Sequence, residues 1–150
     1  MTRFRLFVCM DGSVAALAAG RLALELAAEY GGVVRAVSVV GGDDWEPALP
    51  GRASLGAGAG ARMEQAHRAT LHRFGAMGRE RSVKVETELL HGGPLREILR
   101  DARSWRPDLV LIGRTRRSGP GSPMLGSLAM QVVEFADWPV IVVPEKPGGS

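Results

Sequence analysis

Leu109 to Leu128 reads LVLIGRTRRSGPGSPMLGSL. The stretch opens with four apolar residues, Leu109 to Ile112, stopped by Gly113. An unbroken apolar run of this length suits a strand buried on both faces of a parallel sheet. A loop rich in Arg, Gly, Ser and Pro follows. Gly126 and Ser127 then precede Leu128, Val132, Val133 and Ala136, which are spaced like one face of a helix. A strand, a Gly-containing loop and a helix N-terminus together make a natural anion site. The first backbone N–H groups of a helix have no intrahelical partner, and the dipole favours negative charge there.

On either side of this stretch, strand and helix patterns alternate. Upstream, Pro94 stands where a first helical residue would, with Leu95, Ile98, Leu99 and Ala102 as the buried face. Downstream, Asp137-Trp138-Pro139 leads into Val140 to Val143 (VIVV), closed by Pro144, and residues 145–150 are expected to fray. At the other end of the chain, Arg5 to Cys9 reads as a central strand and Asp11-Gly12-Ser13 as the turn after it. Ser13 is an N-cap candidate for a helix to about Tyr30, with Arg21, Glu25 and Glu29 as its wet stripe. Val33 to Val40 is a β-branched strand, and Lys84 to Leu90 is a strand nearer the sheet edge. The helix between them is expected over Arg62 to Arg81. Residues 41–61, with six Gly and two Pro, are expected to form a flexible loop in which Trp45 is a surface aromatic. The order β-α-β-α-β-α-β-α-β implies one α/β domain over 1–150, an open parallel five-stranded sheet with helices on both faces.

Composition narrows the function classes. Apolar residues make up 45% and charged residues 23%, an ordinary globular balance. No apolar run reaches the length of a membrane span and no signal peptide is visible. Cys9 is the single cysteine, so no internal disulfide forms; a buried core thiol in a cytoplasmic protein is the expectation. The net charge is +3, but the arginines are scattered among acids and aromatics are 5%, so nucleic acid is not expected as a partner. His67 and His72 are five apart, which is not a metal pair, and both are read as solvent-exposed. No Walker A loop, G-x-S-x-G elbow or C-x-x-C occurs, and no His lies near a nucleophile in the motif regions. Asp11 has two readings, a turn residue bonding its own backbone or a ligand contact at the carboxyl end of a central strand.

The loop after Ile112 resembles the nucleotide-binding loop of the universal stress protein family, G-x2-G-x9-G-[ST]. Gly113, Gly126 and Ser127 fall in register with it, while Arg116 occupies the second glycine's place. GGPLREIL at 92–99 is similar to the family's G-x-P-x-x-E-I-L. The resemblance extends over nearly the whole chain. It implies a Rossmann-like sheet of order 3-2-1-4-5, which brings Asp11 and Gly113 to one crevice at the switch point between strands one and four. It further implies a nucleotide site of Met10, Asp11, Val39, Ile112, Gly113, Arg116, Gly126, Ser127 and Leu128. In it Asp11 contacts the nucleotide and the backbone of Val39 reads the adenine edge.

These residues support a regulatory module of the stress response that binds ATP or AMP, without catalytic residues. Mg²⁺ would be held by Asp11 through the nucleotide, with no protein metal site of its own. Two alternatives stand beside it: a stress protein that works without nucleotide as a dimeric interaction module, favoured by Arg116, and a slow ATPase. Dimerisation through the fifth strand, as in the family, would put Val140, Ile141, Val142 and Val143 at a homodimer interface, leaving a regulatory protein partner unidentified.

Overall fold

A computed structural model describes residues 3–41, 57–114 and 127–145. Five strands and four helices alternate along the chain: β1 (Arg5–Cys9), α1 (Val14–Tyr30), β2 (Val33–Val40), α2 (Ala57–Glu80), β3 (Lys84–His91), α3 (Pro94–Trp105), β4 (Leu109–Arg114), α4 (Ser127–Phe135) and β5 (Val140–Pro144). All strand pairs are parallel, in the order β3-β2-β1-β4-β5. Sequence-adjacent β3 and β4 are thus separated by two strands. The chain winds one way from β1 to β3, then crosses back and winds the other way from β4 to β5. The reversal lies between β1 and β4.

The two halves of this winding explain the two cores. Leu6, Val8, Met10, Val34, Ala36 and Leu111 point to the face covered by α1 and α2, against Ala19, Ala23, Leu24, Leu71 and Phe74. Phe7, Cys9, Val37, Val110 and Ile112 point to the other face, against Ile98 and Ala102 of α3 and Ala129 and Val132 of α4. Because β1 is covered on both faces, Leu6, Phe7 and Val8 are each fully buried, which accounts for a run without alternation. Along α1 the small residues Ala15, Ala16, Ala19, Gly20, Ala23 and Ala27 are buried, so the helix lies close to its neighbours. A Cβ on Gly20 would come within 2.6 Å of the Phe74 ring. The Ser13 hydroxyl caps α1 by accepting from the Ala16 N–H at 3.0 Å, and Gly31, at φ 72°, ends it.

Two expectations are corrected here. α2 begins at Ala57 rather than Arg62, so 57–61 are helical and not part of a flexible loop. Alanines at 57, 59 and 61 supply that turn with good helix formers, which offset the glycines between them. Val133 is 47% exposed, with Met130 and Phe135 also exposed, so α4 turns it away from the sheet. Residues 42–56, Trp45 among them, and the tail beyond Glu145 lie outside the described residues. Among the described residues no helix is long and apolar enough to cross a membrane.

Across the sheet, the side chains of Arg35 and Asp101 tie β2 to α3. Arg35 donates from Nε to Oδ2 at 2.7 Å and from Nη2 to Oδ1 at 2.8 Å. The two-fold bond to Asp101 pushes the Arg35 pKa further up from its already high value.

Candidate functional site

The reversal between β1 and β4 leaves a crevice at the carboxyl ends of the strands, because the connections leaving β1 and β4 depart to opposite faces. Its walls are built from the ends of β1, β2 and β4.

At the end of β1, the Met10 N–H donates to the Val37 carbonyl at 2.8 Å, and its side chain is buried against α1 and α2. Met10 therefore offers only its backbone to the crevice. Asp11 follows, exposed, with Oδ1 accepting from the Ser13 N–H at 2.8 Å. The turn role is thus met by one carboxylate oxygen; the other has no partner among the described residues. Gly12 takes φ 85°, which lets the chain turn off the sheet here.

That departure exposes β2. In a strand, N–H and C=O groups of one residue point to the same side and alternate from residue to residue. Val37 points to β1, since its carbonyl accepts from Met10, whereas the Val40 carbonyl points to β3 and accepts from Gly92 at 3.1 Å. Val39 therefore turns its N–H and C=O toward the side where β1 has already left. No hydrogen bond from the described residues satisfies them there. Its side chain packs on the α3 face with Leu90 and Leu95.

At the end of β4, Ile112 is buried among the residues facing α3 and α4. Gly113 touches the first turn of α1: a Cβ there would lie 2.4 Å from the Ala15 carbonyl carbon and 2.6 Å from the Ala16 nitrogen. The first glycine of the loop pattern thus has a packing reason, the abutment of β4 on α1. Arg114 ends the strand, and its Nε is buried without a hydrogen-bond partner. Ser127 begins α4 and Leu128, half-buried, packs beneath it. Arg116 and Gly126 lie outside the described residues. Met10, Asp11, Val39, Ile112 and Gly113 are therefore drawn to one end of the sheet from three strands.

Chemistry at this end is limited. Burial, with Asp11 and Asp101 adding to it, pushes the Cys9 thiol up to about 12, so it is an inert core residue. His67 is not solvent-exposed as expected: it is half-buried, with Nδ1 hydrogen-bonded to the Ser38 hydroxyl. This His lies beside a serine outside the motif regions, but Ser38 is 1% exposed and out of reach of any substrate. The pair fastens α2 to β2. The His91 Nε2 and Glu64 Oε1, 2.6 Å apart, fasten α2 to β3, and His91 holds the Glu64 carboxyl below its usual range. Among the described residues no three His, Cys, Asp or Glu side chains are grouped to hold a metal. Sequence reasoning missed Ser38, His67, Glu64 and His91 because their pairing joins residues 27 and 29 apart across two elements. Among the loop arginines the sequence offers Arg114, with Arg116 and Arg117, as charge that could face an anion; no local pattern signals its buried Nε without a partner among the described residues.

The fold has known counterparts. A curated universal stress protein of Methanocaldococcus jannaschii is 34% identical over 141 residues, covering 93% of this chain and 81% of that protein. A universal stress protein from Archaeoglobus fulgidus solved in complex with dAMP superposes with a TM-score of 0.69 at 22% identity, covering 95% of this chain and 99% of that one. One from Arabidopsis thaliana with AMP bound gives 0.67 at 18% identity, covering 96% and 93%. The model of the universal stress protein family matches residues 3–144. With that match over nearly the whole chain and a relative at 34% identity, this chain belongs to the universal stress protein family.

Proposed function

We propose that the crevice binds an adenine nucleotide, ATP or AMP, and that the protein is a nucleotide-dependent regulatory module rather than an enzyme. The observation that carries this is Val39. An N–H and a C=O side by side, both turned to a crevice, match the alternating donor and acceptor edge of a base. Asp11, with one carboxylate oxygen free of the turn, is placed for a ribose hydroxyl or for Mg²⁺ on the phosphates. The dAMP- and AMP-bound relatives lend the reading support by their shared fold. For hydrolysis, a group to orient water is needed; the crevice residues described offer Asp11 alone, already tied into its turn.

The first test is the ligand content of freshly purified protein, followed by titration of AMP and ATP with and without Mg²⁺. Binding that Asp11→Ala weakens, with the melting temperature of the unliganded protein nearly unchanged, supports the reading. Absence of bound nucleotide and of any titration signal refutes it. Steady-state phosphate release tests the ATPase alternative.

A second reading, an interaction module working as a homodimer, draws on different features. β5 is an edge strand with Val140, Ile141 and Val142 only half-buried, and α4 next to it exposes Met130, Val133 and Phe135. β3, the other edge, is studded with Lys84, Glu86 and Glu88, which discourage pairing. We place the homodimer contact at β5. It is compatible with nucleotide binding, since the crevice lies at the strand ends and not along that edge.

A further inference from the structure

We infer that the first half of α2, up to Thr70, is a gate on the crevice: it opens as one unit while the second half stays on the sheet, and a ligand in the crevice holds it shut. The opening is a property of the unliganded chain. Only its coupling to the ligand rests on the nucleotide reading above.

Burial divides α2 at Leu71. Leu71 and Phe74 are buried in the core under α1 and α2, and Met77 packs against it. From Gly60 to Thr70 no residue is buried, and none belongs to either core. Among the described residues, the side-chain hydrogen bonds that fasten this half to the sheet are two: His67 on the Ser38 hydroxyl and Glu64 on His91. The Glu64 and His91 side chains are 37% and 51% exposed, and so open a pair contributes little. Thr70 marks the joint. Its Oγ1 donates to the Ala66 carbonyl at 3.1 Å, a back-bond that weakens and bends helices. Gly58 and Gly60 lower the helix propensity of the half that precedes it. A piece this short does not hold as a helix away from the sheet, so undocking and unwinding coincide. Few buried apolar contacts on one side of a joint and many on the other define a local opening unit. This half also borders the crevice. Ser38 is next to Val39 on β2, and Thr70 lies against the turn after β1, where a Cβ on Gly12 would meet its Oγ1 at 3.5 Å. Opening therefore uncovers the strand beside Val39 and removes Thr70 from the Asp11–Ser13 turn. A ligand that fits those walls selects the shut state.

Hydrogen exchange of the backbone amides of the full chain tests this. Without ligand, amides 61–70 are expected to exchange at least about tenfold faster than amides 75–79, and at similar protection to one another. Ser38→Ala, which deprives His67 of its partner, speeds all of 61–70 about fivefold and leaves 75–79 within about twofold. Gly60→Ala acts the other way: a Cβ there meets nothing within 4 Å, and 61–70 slow about two- to fivefold. AMP at about 100 times its Kd slows 61–70 at least about tenfold. Equal protection across 61–79 overturns the unit. So does a graded fray in which Ser38→Ala alters only the amides around 67. If AMP binds and leaves 61–70 unchanged, the segment does not gate the crevice and the inference falls. If AMP does not bind, the nucleotide reading fails and the coupling with it, while the opening stands or falls on the unliganded rates of wild type, Ser38→Ala and Gly60→Ala.

Discussion

Replacing Gly113 with alanine adds one methyl group where β4 meets α1. The added Cβ would sit 2.4 Å from the Ala15 carbonyl carbon and 2.6 Å from both the Ala15 oxygen and the Ala16 nitrogen. All three are backbone atoms, so no side chain can rotate away. Relief requires α1 to lift by about 1 Å, since carbon contacts settle near 3.5 Å. The same Ala16 nitrogen donates the capping bond to Ser13 at 3.0 Å, and Ala15, Ala16 and Ala19 are packed on the sheet, so lifting strains both. Overpacking costs about 1–3 kcal/mol and a weakened cap about 1 kcal/mol more. Gly113 is not in the left-handed region, so alanine recovers about 0.4–1 kcal/mol from the unfolded chain. The net loss is about 1–3.6 kcal/mol. At about 2–4 °C per kcal/mol for a chain of this size, the melting temperature falls by about 2–14 °C. Calorimetry on the unliganded protein measures it. Gly75→Ala, inside α2 with only the Arg79 side chain nearby at 3.7 Å, is the control of opposite sign, expected to raise the melting temperature slightly. A Gly113→Ala melting temperature within about 2 °C of wild type would refute the packing account and return Gly113 to a ligand role alone.

Cys9, raised to about 12, should resist thiol reagents in the native protein at about pH 8 and react only on unfolding; stoichiometric labelling without denaturant would contradict its burial. Glu64 titrates below its ordinary 4.5 because of His91, so its stabilising contribution is present above that pH and disappears as pH falls through the lowered value. Denaturation of wild type and Glu64→Gln should therefore differ at about pH 5.5 and converge at about pH 3; a gap that widens in acid would mean the pair is wrongly assigned. Ile141→Lys in the middle of β5 should yield monomers in sedimentation if this edge joins two copies, and an unchanged assembled mass would rule the edge out.

The sequence by itself determined the alternation of five strands and four helices, because local signals are strong where burial is one-sided or complete. RLFVC and LVLI are continuous apolar runs because both faces of central strands are covered, and Pro94 marks the start of α3 through its missing N–H. Strand order came from resemblance through Gly113, Gly126 and Ser127, and the observed β3-β2-β1-β4-β5 sheet agrees with it. The start of α2 at Ala57 was not legible, since glycines at 56, 58 and 60 read as a breaker although the alanines between them continue the helix. Tertiary structure alone decided which groups are spent and which are left over. Val39 is a β-branched strand residue in sequence; its backbone is left without a partner among the described residues only because β1 turns away at Gly12 beside it. His67 reads as a surface histidine until Ser38 meets it from another element, and the burial of the Arg114 Nε, without a partner among the described residues, shows only in the structure. Hydrogen-bond satisfaction and burial depend on neighbours distant in sequence, so no local pattern carries them.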